Sequence, residues 1–223
     1  MNIFKQSLCL FTSIFVVSYA FAGDMGPKIN ESILTQNGAY LSGSLGIINM
    51  QLKDSRSYLP ETHQLSSTGI LGGGYGGYDF GFTQHFRVAI EGFIDAVGVS
   101  NSIIDSNGSV KNSQRYQAGG RVLPQYVFSP DVTGHWILGY VNGRFLSEGT
   151  GDYGNYNKGY NLNGFQTGLG FTTIVKKNIL VRLDAYYNLY SGTSFLSDNT
   201  PSSLITKGPG NLIGELSLIY KFS

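Results

Sequence analysis

Covalent catalysis has one candidate base in this sequence, His63. Asp54, Glu61 and Ser66 lie close to it along the chain, and a nucleophile, a base and an orienting acid are the groups that such a reaction needs. A catalytic base must also lie within hydrogen-bond reach of the proton that it takes, and proximity in a loop does not provide that geometry. We therefore interpret His63 as a solvated loop histidine and expect no catalytic residue.

Two further motifs suggest a cofactor or a metal. Gly72, Gly74 and Gly77 match the spacing of the dinucleotide-binding fingerprint, but that chemistry needs a helix after the glycines, and a short turn and another strand follow instead. We expect these glycines to relieve crowding in a curved sheet. Glu148 and Asp152 provide too few oxygen ligands for a calcium loop, so we expect neither a cofactor nor a metal.

Composition narrows the class of protein. Charged residues make up 13% of the 223 residues and the formal net charge is +1, so the chain lacks the basic stripe that binds nucleic acid. Its single cysteine excludes a disulfide framework. The 31 glycines and the many tyrosines and phenylalanines, together with few charges, favour a β-rich protein.

The first residues predict an export signal. Lys5 precedes a mostly apolar run over residues 7–19, which is too short to span a membrane as a helix. Ala20, Phe21 and Ala22 then form a small-x-small cleavage site, and we place the cut after Ala22. The expected organisation is a signal peptide over residues 1–22, a periplasmic segment over 23–38 and a β-barrel over 39–223.

Alternation of apolar and polar residues between turn signals predicts eight strands. They are Ala39–Met50, Ser67–Phe80, Phe86–Val97, Gln114–Phe128, His135–Leu146, Asn161–Val175, Ile179–Tyr190 and Pro209–Phe222. The connections alternate strictly between short and long, which is typical of a transmembrane barrel with periplasmic turns and extracellular loops. An even number of strands places both termini in the periplasm. The predicted fold class is all-β, an eight-stranded antiparallel up-and-down transmembrane barrel.

Charged residues share one face of most predicted strands, and apolar residues occupy the other. A lipid-facing arginine or lysine at mid-depth costs about 2–4 kcal/mol, so the charged face must point into the barrel. The predicted interior network is Arg87, Glu91, Asp95, Arg115, Arg121, Arg144, Arg182, Asp184 and Glu215, and Gln117 and Asn188 lie on the same faces. Asp79 suggests that the odd positions of the glycine-rich second strand point inward, and Asn142 and Arg144 favour the even positions of the fifth strand. Aromatic residues that gather near the short turns predict a periplasmic girdle, made by Phe80, Phe82, Phe86, Tyr126, Phe128, Trp136, Tyr220 and Phe222.

Neighbouring strands allow these charges to pair. Glu91 can lie across from Arg121 in one register, and Asp95 across from Arg115 in another. Arg182 and Glu215 are one diagonal step apart on the last two strands. Two interpretations follow: a paired polar core that plugs the barrel, or a gated narrow pore whose charges exchange partners. An eight-stranded barrel is only wide enough for its own side chains, which favours the plug.

The signal peptide, the eight amphipathic strands and the closing strand together resemble the small outer-membrane β-barrels of gram-negative bacteria, with the opacity-protein-like and OmpA-like surface antigens as the nearest group. Tyr220 and Phe222 resemble the signal read by the barrel-assembly machinery, although Ser223 follows the phenylalanine and Ser217 stands where the family signal usually has glycine. The resemblance implies the cell outer membrane as the location, with its lipid and lipopolysaccharide and the assembly machinery as partners. Two enzymes of lipid A on comparable barrels use an outer histidine with a serine and an acid, but the His-x-Ser arrangement of one of them is missing here, because Gln64 and Leu65 follow His63. His85 and His135 fall at the periplasmic ends of predicted strands, and we interpret them as interfacial or solvated.

The third predicted loop, Glu148–Tyr160, is rich in tyrosine, asparagine and glycine, a mixture that gives antibody paratopes their adaptable contacts. This composition fits two interpretations. The loop is a tip that binds a host or surface ligand, or it is a solvated loop with no partner. We expect a non-enzymatic surface antigen with a structural or adhesive role, and as the alternative a small porin-like channel for ions or hydrophobic solutes.

Overall fold

The computed structural model describes residues 32–56, 63–83, 85–105, 108–151, 155–191, 193–195 and 204–222. The predicted signal peptide and its cut at Ala20–Ala22 lie outside these residues. No helix in the described ranges is long and apolar enough to cross a membrane.

Nine strands form one antiparallel sheet. They are β1 (Gly38–Arg56), β2 (His63–Gly81), β3 (Phe86–Asp105), β4 (Gly108–Ser129), β5 (Val132–Gly151), β6 (Tyr156–Lys176), β7 (Ile179–Tyr190), β8 (Thr193–Phe195) and β9 (Leu204–Lys221). The three residues of β8 pair with the start of β9, just beyond the place where β7 stops pairing with it. β7 and β8 therefore share one position in the wall, which has eight positions in total.

The sheet closes on itself because β1 pairs with both β2 and β9. Leu45, for example, lies opposite Gly72 on one side and Leu216 on the other. Closure leaves no open sheet edge, so every wall strand has a backbone partner on both sides. The predicted eight-stranded antiparallel barrel is confirmed.

The two ends of the barrel differ. At one end, the short-turn end, β2–β3, β4–β5 and β6–β7 are joined by only a few residues. At the other, the long-hairpin end, the strands run further than the sequence predicted. β3 and β4 stay paired out to Asp105 and Gly108, and β5 and β6 out to Gly149 and Tyr156. Much of the predicted third loop is therefore strand, because regular backbone pairing continues through its glycines and asparagines.

Large apolar side chains point out of the barrel, and polar ones point in. A belt of exposed Leu, Ile, Val and aromatic residues surrounds the wall, and on β3 it runs from Phe86 through Ile90 and Ile94. The outward face of β3 stays apolar or glycine until Gly98, which spans about 30 Å along the barrel axis for a strand tilt near 40°. A soluble barrel has the opposite arrangement, so this surface matches hydrocarbon rather than water.

The predicted girdle residues all lie exposed on this outer surface, near the short-turn end. Several of the rings contact one another: Tyr126 lies 5.2 Å from Phe128, and Tyr220 lies 5.1 Å from Phe222. The clustering that the sequence indicated is therefore a continuous feature of the folded wall, at the depth where amphipathic rings favour a membrane interface.

Two of the predicted interior charges face outward. Arg115 is exposed because a bulge between Gln114 and Tyr116 leaves it without a backbone partner on either neighbouring strand. Arg144 is half-buried on the outer face because the odd positions of β5, not the even ones, point inward. Asn142 had suggested the wrong face, and Trp136 on the same even face points outward.

The segment before β1 packs against the barrel at the short-turn end. Ile33 and Leu34 are buried among the core residues, and the Ser32 hydroxyl donates to the carbonyl of Pro130 in the β4–β5 turn. Arg87 donates to the carbonyls of Thr35, at 2.6 Å, and of Gln36, at 2.8 Å. Residues 32–37 therefore cover part of this mouth of the barrel.

Removing the end of β9 should prevent folding. Deletion of Tyr220–Ser223 takes away the partners of Tyr40 and Leu41 on β1 and of Ile179 on β7, so the barrel loses part of its closing seam. We expect the truncated chain to show no heat-modifiable band on a denaturing gel and to remain unfolded in the periplasm. Deletion of Ser223 alone is the matched control and should fold; normal heat-modifiability of the longer deletion would contradict this role of the seam.

Candidate functional site: the polar barrel interior

Seven of the nine predicted interior charges are buried inside the barrel: Arg87, Glu91, Asp95, Arg121, Arg182, Asp184 and Glu215. Strand periodicity places each of them, since successive side chains of a strand point to opposite faces. Three further ionisable residues join them, namely Asp79, His135 and Lys221. The interior is therefore a network of charges distributed over β2, β3, β4, β5, β7 and β9.

Glu91 is the most connected acid of this network. Its carboxylate accepts hydrogen bonds from Arg121, from Arg182 and from the hydroxyl of Tyr40, each at 2.5 Å. Register explains the first contact, because Glu91 and Arg121 are direct partners on β3 and β4. The other two reach it from β7 and β1, so one carboxylate connects four strands around the lumen.

The two guanidinium groups at Glu91 also lie against aromatic rings. Arg121 lies 4.7 Å from the ring centroid of Tyr75, and Arg182 lies 4.9 Å from the same ring. Arg121 lies in addition 5.5 Å from the ring of Phe93. Favourable cation–ring contacts in a site without solvent help to hold both arginines in place.

His135 and Asp184 form a second pair next to this cluster. The imidazole Nε2 of His135 lies 2.8 Å from the carboxylate of Asp184, and Nη2 of Arg121 lies 3.9 Å from the other oxygen. Gly170 provides the room, because a Cβ there would overlap both the histidine ring and the carboxylate. We interpreted His135 as interfacial or solvated; it is buried, because its odd position on β5 points inward.

A third cluster lies near the short-turn end. Asp79 accepts from Arg87 at 3.1 Å and from Lys221 at 2.6 Å. Arg87 thereby connects the wall to the segment before β1, to which it also donates. The second strand is too rich in glycine for a clear pattern, but Asp79 predicted its inward face correctly.

Amide side chains fill the level toward the long-hairpin end. The side-chain oxygen of Gln117 accepts from Asn188 at 3.0 Å and from the Tyr190 hydroxyl at 3.2 Å, while its nitrogen donates to Asp95 at 2.9 Å. Asn211 donates to Gln114 at 2.6 Å. Gln117 and Asn188 share the inward faces of Arg121 and Asp184, but sequence reasoning did not predict that they bond each other, because that contact depends on the register across the lumen.

The predicted pairings have mixed outcomes. Glu91 with Arg121 is confirmed. Asp95 lies opposite Gln117, and Arg115 points outward, so that pairing is wrong. Arg182 lies opposite Ser217, so Glu215 is one diagonal step away, as predicted. The two side chains nevertheless bond other partners: Arg182 contacts Glu91 across the lumen, and Glu215 accepts from the Tyr186 hydroxyl at 2.6 Å.

Packed side chains leave little free volume at these levels. Among the described residues, the interior cavity found near the short-turn end, between Leu34, Tyr40 and Lys221, measures about 20 Å³. At the level beyond the amides, Phe145 stacks on Tyr160 at 5.7 Å and contacts Tyr190 edge-on. The described side chains at these levels therefore contact one another across the lumen, through ion pairs, hydrogen bonds and ring contacts.

The remaining candidates lie elsewhere. The side chains of Asp54, Glu61, His63 and Asp152 are outside the described residues. Ser66 donates to Asn49 on the outer face. His85 is exposed, as predicted, and stacks on Tyr126.

The two single substitutions in the Glu91 cluster should destabilise the barrel by different amounts. Glu91→Gln leaves two arginines without their acid and should cost about 3–5 kcal/mol of unfolding free energy. Arg121→Met should cost less, because Arg182 and Tyr40 still satisfy Glu91. The double variant should lose less than the sum, by about 0.5–3 kcal/mol, in urea titrations of the folded barrel. Strictly additive losses of unfolding free energy would refute the pairing. The control is Arg144→Met, on the outer face, whose unfolding free energy should stay within about 0.5 kcal/mol of that of the parent.

Gly170→Ala tests the His135–Asp184 pair. The added methyl group overlaps both partners, so we expect a clear drop in the urea midpoint. Gly214→Ala is the matched control, because a Cβ at that position meets no atom within 4 Å. Equal midpoints for the two variants would show that the pair does not need the space that the glycine leaves.

Comparisons with known proteins give matches only among solved structures. No family model and no curated protein matches this sequence. Neisserial surface protein A is 16% identical, with 84% of this chain and 99% of that chain covered and a TM-score of 0.49. The attachment invasion locus protein Ail of Yersinia pestis, solved with the heparin analogue sucrose octasulfate, is 14% identical over 83% of this chain and 99% of that chain, with a TM-score of 0.45.

The outer-membrane protease OmpT of Escherichia coli is 11% identical over 88% of this chain and 99% of that chain, with a TM-score of 0.48. Likenesses of this strength do not carry over an activity. The closed wall of eight strands and its outward apolar belt give this chain the architecture of the small outer-membrane β-barrels that its sequence resembles.

Proposed function

We propose that this protein is an integral outer-membrane β-barrel that acts at the cell surface, in a structural or ligand-binding role, through its long hairpins. The observation that carries the proposal is the filled interior: the charges inside the wall are paired with one another or hydrogen-bonded to neutral side chains, and the amide and aromatic layers lie beyond them. A barrel without an open lumen presents its function on its surface. The role we propose is structural or ligand-binding, not catalytic.

The two ends determine the proposed orientation. Chains of this architecture are inserted from the periplasm, with short turns left on that side and longer hairpins outside. The described ends of the chain, at Ser32 and Phe222, both belong to the short-turn end. We place this end in the periplasm, after export through the predicted signal peptide and insertion by the barrel-assembly machinery through Tyr220 and Phe222.

The hairpins supply the proposed interaction surface. β3–β4 continues for seven residues of β3 beyond Gly98, about 20 Å along the strand. β5–β6 continues to Gly149 and Tyr156. Paired strands hold tyrosine and asparagine side chains with less loss of conformational entropy than a free loop, which favours binding by a preorganised surface.

A narrow channel is the second candidate, and one observation favours it. Nη2 of Arg121 lies 3.9 Å from Asp184 while its Nε donates to Glu91. Transfer of the guanidinium from one carboxylate to the other is a short movement that would rearrange the middle of the plug. The channel would then be a minor state of a closed barrel.

Planar-bilayer recordings distinguish the two functions. We expect no steady conductance from the parent protein, because the described interior layers are filled. Glu91→Gln should at most give brief openings, since it weakens the plug without removing its side chains. Steady conductance of the parent, with an ion selectivity that Arg121→Met changes, would overturn the proposal and establish the channel.

Trimming the hairpins tests the surface role. Ser147 and Lys158 are direct partners, so residues 148–157 can be replaced by Asn-Gly without disturbing the wall. Bacteria that display the parent protein should attach to at least one coating in a panel of purified matrix proteins and glycosaminoglycans. The trimmed variant should lose that attachment.

The same replacement of residues 102–111 between Asn101 and Asn112 is the matched control, since these two residues are also direct partners. It should keep the attachment if the β5–β6 hairpin is the binding element. Attachment that neither replacement reduces, or a parent that attaches to no coating, would contradict adhesion through these hairpins.

A further inference from the structure

Three cations lie on the outer surface of the barrel instead of inside it. Lys111 and Arg115 on β4 are exposed, and Arg144 on β5 is half-buried on the outward face. Interior arginines have carboxylates within 4.0 Å, such as Arg87 with Asp79. Among the described residues, no carboxylate lies within 4.0 Å of Lys111, Arg115 or Arg144.

Along their strands, Arg115 and Arg144 lie where the apolar belt ends. On β1 and β2 the outward residues turn polar at Asn49, which donates to Thr68. On β5 and β6 the same change is marked by Asn142, which donates to Asn163 at 2.6 Å. Side-chain pairs of this kind belong above the hydrocarbon, so Arg144, two residues beyond Asn142, lies at headgroup depth.

Arg144 is held flat against the wall. Its Nη1 donates to Asn161 at 3.2 Å, and a Cβ on Gly159 would come within 2.5 Å of Nη2 and 2.9 Å of Cζ. The guanidinium therefore covers the glycine on the neighbouring strand. The hydrogen bond to Asn161 uses one of its five N–H donors, and the others can bind an anion.

Arg115 lies beside this group. Tyr116, the residue after it, is the direct partner of Arg144, so the two arginines are on adjacent strands about 5–7 Å apart at the backbone. The exposed ring of Tyr116 is the kind of side chain that favours a membrane interface. Lys111 lies opposite an acid, Glu148, but the carboxylate of Glu148 accepts a hydrogen bond from Asn157, at 3.4 Å, and not from the lysine.

We propose that Arg115 and Arg144, with Lys111 above them, form a binding site for the phosphate groups of lipid A in lipopolysaccharide. A guanidinium group can donate two parallel hydrogen bonds to the oxygens of one phosphate. In the proposed orientation, the phosphates of lipid A lie at headgroup depth at the long-hairpin end of the barrel. The site rests on the proposed outer-membrane orientation. It depends neither on an adhesive role for the hairpins nor on the state of the lumen.

The test uses the protein folded in detergent free of lipopolysaccharide. Purified lipopolysaccharide is titrated into the parent and into Arg115→Gln/Arg144→Gln, and binding is followed by native mass spectrometry and by the rise in unfolding temperature. We expect the parent to bind, and each arginine removed to weaken binding about tenfold. Lys176→Gln/Lys177→Gln, at the short-turn end, is the matched control and should bind as the parent does.

Two further ligands identify the anion. Enzymatically dephosphorylated lipopolysaccharide should bind the parent at least tenfold more weakly, a readout that needs no variant. Vesicles of phosphatidylglycerol should protect the parent no better than the double variant. Equal binding by parent and double variant, equal binding after dephosphorylation, or equal preference for phosphatidylglycerol would each overturn the site, while the conductance and attachment results would stand unaffected.

Discussion

Glu91 determines how the inside of this barrel is organised. It lies on β3 and accepts hydrogen bonds from side chains of β1, β4 and β7, so strands on opposite sides of the lumen meet at one carboxylate. A charge enclosed in the wall is stable only if it is paired and hydrogen-bonded, and removal of one partner leaves the other buried without compensation. The two arginines at Glu91 satisfy that condition and at the same time lie against Tyr75, which fills the space between them. The same side chains therefore provide both the charge pairing and the packing of the interior.

The wall and the interior depend on each other through this constraint. A charged side chain cannot face the apolar belt at mid-depth without a large cost, so the charges of β3 and β7 must face inward. Once inside, they need room, and glycines provide it at selected positions. Gly77 leaves space for the Tyr40 hydroxyl and Glu91, and Gly170 leaves space for His135 and Asp184. Gly77, the last glycine of the sequence that resembles a dinucleotide-binding motif, thus belongs to the packing of the interior.

Period-two alternation was sufficient to predict the eight wall positions and most of the interior. It worked on β3, β7 and β9, where each charge has apolar neighbours on both sides. It failed on β5, because Asn142 and Arg144 are polar yet lie above the belt, where either face can be polar. It also failed at Arg115, because a bulge changes the phase of the strand and no residue type in the sequence marks it. The contacts among Gln117, Asn188 and Tyr190 required the register, which alternation alone does not provide. The burial of His135 was missed together with the inward face of β5.

Depth in the membrane explains why two arginines on β4 face in opposite directions. Arg121 and Arg115 both lie on β4, six residues apart, yet the first is enclosed by carboxylates and the second is exposed. Arg121 lies opposite Glu91 in the middle of the belt, where only the interior offers partners for a cation. Arg115 follows the level of Ala96, where the belt ends and anionic headgroups become available outside. The bulge between Gln114 and Tyr116 coincides with that boundary, so the strand changes phase where the surroundings of its outward face change from hydrocarbon to charge.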